Sequence, residues 1–220
     1  MKVYKERRKN VIVVCGKKGH GKDTFANMLA ERVASTPMRV NRFAFADPVK
    51  LVAELVIGIP RSVSYGSFEA KENTMFYGRS ARHWLQKIGT EFFRDGVSPD
   101  IWVDGAVRHI DSRSADLFIL SDGRFPNEAD VMRKAGEEKG FRVLILKIVR
   151  DKVDKIGWLR RLYRKTIGKM LSRGDKHRSE TSVDLIRADE TIRNDKGLAE
   201  LAEEADRIVR EHPEFFQVSV

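Results

Sequence analysis

The sequence contains almost no cysteine and no long hydrophobic run. Only one of its 220 residues is a cysteine, so an internal disulfide is excluded, and Cys15 closes a short apolar run where a small buried side chain fits. The longest apolar candidate, residues 51–60, is interrupted by Glu54 and Gly58 and falls short of the roughly 20 residues that a membrane-spanning helix needs. The basic residues 1–10 precede an apolar run too short for a signal peptide. We therefore expect a cytoplasmic protein that does not insert into a membrane.

Charge and hydrophobic content indicate a folded, basic protein. Lys and Arg number 42 against 32 Asp and Glu, a net charge of +10, and 41% of the residues are hydrophobic, which is too many for a disordered chain. Residues 151–178 hold ten Lys and Arg against three Asp, a local balance of 10 − 3 = +7. A basic surface suits nucleic acid, anionic lipid or small phosphorylated substrates. The position of the charge in the chain has to separate these alternatives.

Short aliphatic runs alternate with stretches of helical periodicity along the chain. The runs predict strands at residues 11–15, 39–45, 117–120, 142–148 and 191–193. The periodicity predicts helices at residues 22–34, 48–57, 81–93, 100–110, 127–139 and 198–210. Residues 62–80 have no clean period, and we expect a loop there over one end of the sheet. Buried strands that alternate with helices predict an α/β domain with a doubly wound, five-stranded parallel sheet.

The strongest motif is a glycine-rich segment between the first predicted strand and the first predicted helix. It reads Gly16-Lys-Lys-Gly19-His-Gly21-Lys22-Asp23-Thr24 and contains the spacing Gly-x4-Gly-Lys. Glycines allow successive backbone N–H groups to point at an anion, and the helix N-terminus adds partial positive charge. We expect Lys22 to reach the β- and γ-phosphates of a nucleotide. We expect no chemical role for His20. Because Asp23 follows the lysine and the hydroxyl of Thr24 comes one place later, either of the two is a candidate to orient Mg²⁺.

Further polar residues fall at places where ligands bind. Asp122 and Arg124 lie just past the predicted strand at 117–120, and open α/β sheets bind ligands beyond the carboxyl ends of their strands. Asp122 is a candidate to hold Mg²⁺ through water, and Arg124 is a candidate to hold a phosphate. Arg82 and Gln86 are four residues apart on a predicted helix, so they share a face and are able to contact one ligand.

An ordered series of motifs resembles that of bacteriophage deoxynucleoside monophosphate kinases. The series is the loop at residues 16–24, Phe45-Ala-Asp-Pro48-Val-Lys50, Arg82-His-Trp-Leu-Gln86-Lys-Ile-Gly89-Thr90, Ile101-Trp102-Val, Ser121-Asp122-Gly-Arg124-Phe-Pro-Asn127-Glu128-Ala, His177-Arg-Ser-Glu180-Thr and Asn194-Asp195. The resemblance spans about residues 11–210. It implies a P-loop NTPase three-layer sandwich with a substrate-binding insertion and a basic helical lid. In this interpretation residues 1–220 form a single domain, with its core at 11–57, 81–150 and 179–212, the insertion at about 58–80 and the lid at about 151–178.

The resemblance also implies roles for individual residues. Those implied to bind the donor ATP are Gly16, Gly19, Gly21, Lys22, Asp23, Thr24, Arg150 and Asn194. Those implied to bind the acceptor are Lys18, Val49, Lys50, Arg82, Gln86, Trp102 and Arg124. The candidates near Mg²⁺ are Asp23, Thr24 and Asp122. Lys22 and Arg124 are implied to assist the transfer together with an arginine of the lid, for which Arg160, Arg161, Arg164 and Arg173 are the candidates.

The resemblance implies that the chain transfers the γ-phosphoryl group of ATP to a deoxynucleoside monophosphate, which supplies DNA precursors to a phage in the host cytoplasm. The acceptor phosphate is mostly dianionic at neutral pH, so the reaction requires no general base. One alternative is a kinase of another phosphorylated metabolite, of the dephospho-coenzyme A or phosphomevalonate type. A second is a nucleic-acid-binding ATPase, which is disfavoured because no glutamate that would activate water adjoins Asp122. We expect a small-molecule partner and no membrane or nucleic-acid partner, and a homodimer fits the family.

Overall fold

The centre of the structure is a parallel β-sheet of five strands. The computed structural model describes residues 8–150 and 182–217. Its strands are β1 (Asn10–Gly16), β2 (Val40–Phe43), β3 (Met75–Phe76), β4 (Arg79–Ser80), β5 (Leu117–Gly123), β6 (Arg142–Val149) and β7 (Glu190–Arg193). Five of them form the main sheet in the order β2-β5-β1-β6-β7, and β3 and β4 form a separate hairpin. The predicted five-stranded parallel sheet is confirmed.

β1 occupies the middle of the sheet because its side chains are apolar on both faces. Residues 11–14 are fully buried, as is typical of a parallel strand covered on both sides. β1 pairs with β5 on one side and with β6 on the other, so that Asn10 lies opposite both Leu117 and Arg142. The glycine-rich loop therefore begins at the carboxyl end of the central strand.

One strand boundary differs from the prediction in a way that affects the site. The prediction that Asp122 lies beyond the strand is wrong, because β5 extends to Gly123 and Arg124 is the first residue after it. The polar residues Ser121 and Asp122 continue the strand because pairing with β1 resumes after a register shift, with Cys15 opposite Gly123. The apolar run alone did not reveal this extension.

The six predicted helices are present close to their predicted positions, and the described residues contain three further short helices that were not predicted. They are α1 (Lys22–Val33), α2 (Asp47–Val52), α3 (Arg61–Ser64), α4 (Phe68–Asn73), α5 (Ala81–Gln86), α6 (Ile101–Ser112), α7 (Pro126–Lys139), α8 (Leu198–Glu211) and α9 (Pro213–Phe216). π-helical turns extend α2 over Ala53–Ile57 and α5 over Lys87–Asp95, and a 3₁₀ turn spans Val183–Leu185. In the part of the chain that the structure describes, no helix is long and apolar enough to span a membrane.

The described residues form two compact units. One, which we call the core unit, consists of residues 8–42, 113–150 and 182–217 and contains the central strands with α1, α7, α8 and α9. The other, the helical unit, is Phe43–Ser112 and contains α2 to α6 and the hairpin. The single domain with an insertion at 58–80 stays a prediction. The predicted lid at 151–178 lies outside the described residues. Arg150, the residue before it, is described and follows β6 directly.

The core unit is held together by a cluster of buried apolar side chains on α1, α8 and the sheet. Phe25, Leu29 and Val33 repeat every four residues on α1 and therefore share one face. α8 contributes Leu201, Ala205 and Ile208 to the same cluster, and α9 contributes two phenylalanines. The side-chain amide of Asn10 donates to the carbonyl of Phe215 at 3.2 Å. This bond joins α9 to the start of β1.

The prediction of a loop over residues 62–80 is wrong, because this segment contains regular structure in the helical unit. It includes most of α3, all of α4 and the hairpin, in which Phe76 pairs with Arg79. The turn residues Tyr77 and Gly78 have φ values of 48° and 73°, the arrangement that a two-residue hairpin turn requires. These elements are too short to produce a visible hydrophobic period.

Candidate active site

The loop between β1 and α1 has the backbone geometry of an anion-binding site. Gly19 and Gly21 have φ values of 80° and 94°, and the backbone N–H of His20 donates to the carbonyl of Lys17 at 3.3 Å. α1 begins at Lys22, directly after the loop, with no side-chain cap on its N-terminus. The N–H groups of its first turn and the positive end of the helix dipole are therefore directed at the loop. These features favour a bound phosphate.

Lys22 folds back over this loop. Its Nζ atom donates to the carbonyl of Lys17 at 2.9 Å, and the residue is only 6% exposed. A buried ammonium group needs such a partner because desolvation of an unpaired charge is costly. The contact holds the ammonium group of Lys22 over the glycine-rich loop between β1 and α1.

Two buried polar side chains fix the loop from the β6–β7 side. The Nδ1 atom of His20 lies 3.2 Å from the carbonyl oxygen of Ile148, at the end of β6. The side-chain amide of Asn194, which follows β7, donates to the carbonyl of His20 at 2.9 Å. The backbone N–H of Asn194 donates to Val149 at 2.8 Å, which positions this amide. His20, for which we expected no chemical role, is thus a structural part of the loop.

Asn194 also explains why position 21 is a glycine. A Cβ atom at Gly21 would lie 2.5 Å from the Nδ2 atom of Asn194, which is too close for any side chain. The positive φ of Gly21 adds a second restriction. The close approach of Asn194 therefore depends on glycine at this position.

The loop borders a cleft in the core unit with a volume of about 410 Å³. The cleft is lined by Gly19, Gly21, Lys22, Asp23, Thr24, Arg150, Asn194, Gly197, Leu198 and Leu201. The first seven of these belong to the predicted ATP-binding set, whose remaining member, Gly16, is not among the lining residues. The last three were not predicted, although the position of Leu198 at the start of the final predicted helix was a usable signal. They add an apolar wall to a polar cleft.

Arg150 brings a positive charge to this cleft from the end of β6. Its Nε atom is buried and has no hydrogen-bond partner among the described residues. A buried guanidinium N–H without a partner has a desolvation cost that an anionic or polar ligand would offset. The residue is therefore suited to ligand binding.

The end of β5 is connected to the cleft residue Asp23 through Ser121. The hydroxyl of Ser121 donates to the Oδ1 atom of Asp23 at 2.7 Å. Asp122 is half-buried and is not among the described residues that line the cleft. Ser121 is a site residue that the sequence did not single out, since serine at a strand end has no distinctive pattern.

The turn after β5 is organised by Glu128, which belongs to the motif series but for which no role was predicted. Its carboxylate accepts hydrogen bonds from the backbone N–H groups of Arg124 and Phe125 at 2.8 and 3.0 Å. Arg124 is half-buried on this turn.

Burial, with the nearby carboxylates of Glu128 and Asp122, raises the pKa of the Cys15 thiol from 9.0 to about 12. Cys15 is therefore a neutral core side chain.

The two lysines inside the loop differ in their surroundings. The Nζ atom of Lys17 lies 2.9 Å from the Oδ2 atom of Asp184, in the 3₁₀ turn that precedes β7. Lys18, which the resemblance assigns to the acceptor phosphate, is exposed. The loop thus presents one lysine to solvent while another ties it to the segment before β7.

In the helical unit, Lys50 belongs to a compact charged cluster. Its Nζ atom lies 3.0 Å from the Oδ1 atom of Asp47 and 4.0 Å from the ring centroid of Tyr65. The Tyr65 hydroxyl donates to the same oxygen at 3.0 Å, and the guanidinium of Arg61 lies 4.5 Å from the Tyr65 ring. The carboxylate of Glu54 also acts on Tyr65. Lys50 and Arg61 are therefore two cations held against one aromatic ring, with carboxylates nearby.

Arg82 lies in a second polar group of the helical unit. Its Nε atom lies 3.1 Å from the Oε1 atom of Glu72, and its guanidinium lies 4.8 Å from the Phe68 ring. Gln86, one turn further on, is half-buried. Arg82 is therefore held in place by a carboxylate and a ring on neighbouring elements.

Val49 and Trp102 are packing residues of the helical unit. Val49 is buried, and its side chain packs next to Gly89, where an added Cβ atom would lie 3.6 Å from the Cγ1 atom of Val49. Trp102 is 6% exposed, its indole N–H donates to the carbonyl of Gly89 at 2.8 Å, and its ring lies 5.2 Å from that of Phe93. Their burial does not test the acceptor contacts that the resemblance implies for them. Arg160, Arg161, Arg164 and Arg173 lie outside the described residues.

Comparison with solved structures gives matches over nearly the whole chain. The crystal structure of APE1195 matches with a TM-score of 0.51 and 14% identity, covering 96% of this chain and 98% of that chain. The Mycobacterium tuberculosis APS kinase CysC in complex with AMPPNP and APS has a TM-score of 0.45 and 10% identity, covering 93% and 99%. Chaetomium thermophilum Kti12 in complex with ADP-AlF3 has a TM-score of 0.45 and 18% identity, covering 91% and 97%. At this identity the APE1195 likeness concerns the fold alone. No protein-family model and no curated protein matches the sequence.

The donor set at the cleft suits Mg²⁺ bound together with a nucleotide. Within residues 8–150 and 182–217 there is no group of three or more His, Cys, Asp or Glu side chains that would hold a metal ion by themselves. Mg²⁺ typically uses one or two carboxylates and completes its shell with water and substrate phosphates. The carboxylate of Asp23 and the hydroxyl of Thr24, next to Lys22, fit this mode of binding.

Proposed function

We propose that this chain is an ATP-dependent kinase that phosphorylates a deoxynucleoside monophosphate. The observation that carries the proposal is the cleft beside the β1–α1 loop. In it the buried Lys22, the start of α1 and Arg150 surround a space large enough for part of a nucleotide. The choice of a deoxynucleoside monophosphate as acceptor rests on the resemblance of the motif series.

The donor phosphates are proposed to lie against the loop. The N–H groups of the first turn of α1 would bind phosphate oxygens, while Lys22 would exchange its bond to the Lys17 carbonyl for the β- and γ-phosphates. Arg150, which also lines the cleft, would contribute its Nε–H group, which has no partner among the described residues. Preorganised donors of this kind stabilise the charge that develops on the transferred group.

Mg²⁺ would be held by Asp23 and Thr24 together with phosphate oxygens. When bound, the ion neutralises part of the charge on the donor phosphates. The predicted part of Asp122 is less well supported, because that residue does not line the cleft in the part of the chain that the structure describes.

The acceptor is proposed to bind through cations of the helical unit. Lys50, supported by Asp47 and the Tyr65 ring, and Arg82, held by Glu72, are suited to contact a phosphate monoester. An oxygen of the acceptor phosphate would attack the γ-phosphorus, and the bond from that phosphorus to the β-phosphate oxygen would break to release ADP. The attacking oxygen carries no proton at neutral pH, so no residue has to remove one.

The direct test measures ADP release with a panel of acceptors. The purified chain with Mg²⁺ and ATP should release ADP with deoxynucleoside monophosphates and not with dephospho-coenzyme A, phosphomevalonate or single-stranded DNA. Stimulation by one of the last three, with no response to any deoxynucleotide, would reject the proposed acceptor. This assay also separates the two alternatives derived from the sequence.

Two variants test the assigned sites in the same assay. Lys22→Ala should lower kcat/KM by roughly 100-fold or more, as expected for loss of a charged transition-state contact. Lys134→Ala removes an exposed lysine on α7 and serves as its matched control. Arg82→Ala should raise the KM for the acceptor with little change in the KM for ATP, whereas Arg79→Ala, an exposed hairpin residue, should change neither. Full transfer by Lys22→Ala would contradict the assignment of the donor site.

A further inference from the structure

The contact between Ser121 and Asp23 joins β5 to a residue of α1 that lines the cleft. Asp23 is the second residue of α1, is exposed and lines the cleft. Ser121 is 8% exposed near the end of β5. The two residues are 98 positions apart, and their side chains are joined by a 2.7 Å hydrogen bond. A buried serine thus contacts an exposed carboxylate at the edge of the site.

This contact combines the two kinds of group that P-loop sites use around Mg²⁺, in an unusual arrangement. In such sites a serine or threonine hydroxyl follows the loop lysine, and a carboxylate is supplied by a strand. Here the carboxylate of Asp23 follows Lys22, and the hydroxyl of Ser121 is on the strand β5. The chain thus has a carboxylate directly after the loop lysine, and a hydroxyl on β5 that is bonded to it.

We propose that Ser121 is a positioning residue that orients the carboxylate of Asp23 toward the metal ion of a bound nucleotide. The inference rests on the proposed function in one respect, namely that the cleft binds ATP with Mg²⁺. It assigns Ser121 a role that the loop motif does not contain.

The chemistry of the pair supports this role. A serine hydroxyl has a single proton to donate, and the hydroxyl of Ser121 gives it to the Oδ1 atom of Asp23. This bond restricts the side-chain rotation of an otherwise exposed aspartate. The Oδ2 atom remains available for Mg²⁺ or for one of its water ligands, and Mg²⁺ accepts few carboxylates and demands near-ideal geometry. A carboxylate oxygen that is already oriented should therefore bind this ion more tightly than a mobile one.

The burial of Ser121 gives it the rigidity that a positioning residue needs. It lies in a strand whose preceding four residues are fully buried, next to the register shift between β1 and β5. A small side chain at the end of a packed strand has a well-defined position relative to α1.

The test measures how much Mg²⁺ strengthens the binding of a fluorescent ATP analogue. Affinities are measured in Mg²⁺ and in EDTA, and their ratio is the metal gain. The wild type should show a large metal gain. Asp23→Ala should abolish it, and Ser121→Ala should reduce it by about tenfold, the effect of a hydrogen bond to a charged group. Because the metal gain is a ratio, a change in affinity that is equal in Mg²⁺ and in EDTA does not alter it.

Two further variants separate positioning from packing. Ser121→Thr retains the hydroxyl and should retain the metal gain. Thr36→Ala removes another half-buried hydroxyl of the core unit, which donates to the carbonyl of Val33, and should leave the metal gain unchanged. If Ser121→Ala keeps the full metal gain, or Ser121→Thr loses as much as Ser121→Ala, the inference is overturned.

The same measurements distinguish this inference from the proposed function. A wild type that binds the analogue equally well in Mg²⁺ and in EDTA would overturn the role of Ser121 while leaving nucleotide binding intact. A wild type that binds no analogue under either condition would overturn both. A wild type with a normal metal gain that transfers phosphoryl to no deoxynucleotide would reject the proposed acceptor and leave the metal inference standing.

Discussion

The side-chain amide of Asn194 donates a hydrogen bond to the backbone carbonyl of His20 at 2.9 Å, although the two residues are 174 positions apart. Asn194 is buried, and so is His20. The bond connects the end of β7 to the glycine-rich loop. The shape of the loop thus depends on a residue from the last strand of the sheet.

We expect Asn194→Ala to destabilise the protein by about 1–3 kcal/mol, because the variant leaves the buried carbonyl of His20 without its partner. The affinity for ATP should fall as well, since the loop loses a support. Urea unfolding and nucleotide titration measure the two effects. Asn27→Ala, at an exposed position on α1, is the control and should change stability by less than about 0.5 kcal/mol. A variant at position 194 as stable as this control would show that the bond contributes little.

Gly21→Ala should destabilise the chain for two separable reasons. The left-handed backbone costs an alanine about 1–2 kcal/mol, and the new Cβ would lie 2.5 Å from the Nδ2 atom of Asn194. Gly140→Ala is the matched control, because its φ is 74° and nothing lies within 4 Å of the added atom. Urea unfolding should show a larger loss of stability at position 21 than at position 140. Equal losses would mean that the loop moves to accommodate the side chain.

The thiol of Cys15 should react with disulfide reagents only when the chain unfolds. Burial, followed by the nearby Glu128 and Asp122, raises its pKa from 9.0 to about 12, and the thiolate is the reactive form. Labelling at pH 8 should be slow for the native protein and rapid in urea. Because the sequence has no other cysteine, the reagent reports on this residue alone. Rapid labelling of the native protein would contradict the buried position.

The same pKa has a consequence for stability at high pH. Below pH 9 the thiol is neutral in both the folded and the unfolded chain. Between pH 9 and 12 the unfolded chain loses this proton while the folded chain keeps it, so the contribution to stability is lost as the pH rises. Cys15→Ala lacks this titration and should show a smaller decrease in stability over that range.

Asp47 should stabilise the helical unit in a pH-dependent way. Burial alone would raise its pKa, but hydrogen bonds from Lys50, the Ala44 N–H and the Tyr65 hydroxyl outweigh burial and lower the pKa. This contribution is present at pH values above the unfolded pKa of about 4 and is lost as the pH falls through the lower folded value. Asp47→Asn should therefore cost about 1 kcal/mol at pH 7. The difference from the wild type should shrink in acid.

Urea unfolding from pH 2.5 to 7 measures this dependence. Asp130→Asn, at an exposed position on α7, makes the same change in net charge and is the control. A difference between wild type and Asp47→Asn that stays constant over this pH range would argue against an ionised Asp47 in the folded chain.

The sequence predicted those parts of the site whose chemistry is local. The apolar run, the glycines and Lys22 are consecutive, so one pattern located β1, the loop and α1. The five strands of the main sheet were predicted from short aliphatic runs, whereas β3 and β4 were not predicted. β5 extends further than predicted through polar residues, and β2 is shorter, at Val40–Phe43 instead of residues 39–45. Tyr77-Gly78 was a turn signal that periodicity overlooked.

The rest of the site depends on contacts between distant positions. Asn194 approaches His20, and Ser121 approaches Asp23, only because the order of the strands brings their ends together. No spacing rule connects residues so far apart in the chain. The role of Glu128 was not predicted for a related reason. A glutamate in the first turn of a helix is common, and its hydrogen bonds to the preceding turn are visible only in the structure.

The bond between Asn10 and Phe215 has a practical consequence for attaching the protein to a surface. β1 runs from Asn10 to Gly16, where the loop begins. Seven residues of a strand place these two ends about 20 Å apart. The described chain ends near Phe215, at the end of the sheet opposite the cleft. A label or tether attached after residue 217 therefore starts from the side away from the cleft. Immobilised samples prepared in this way should leave the β1–α1 loop open to solution.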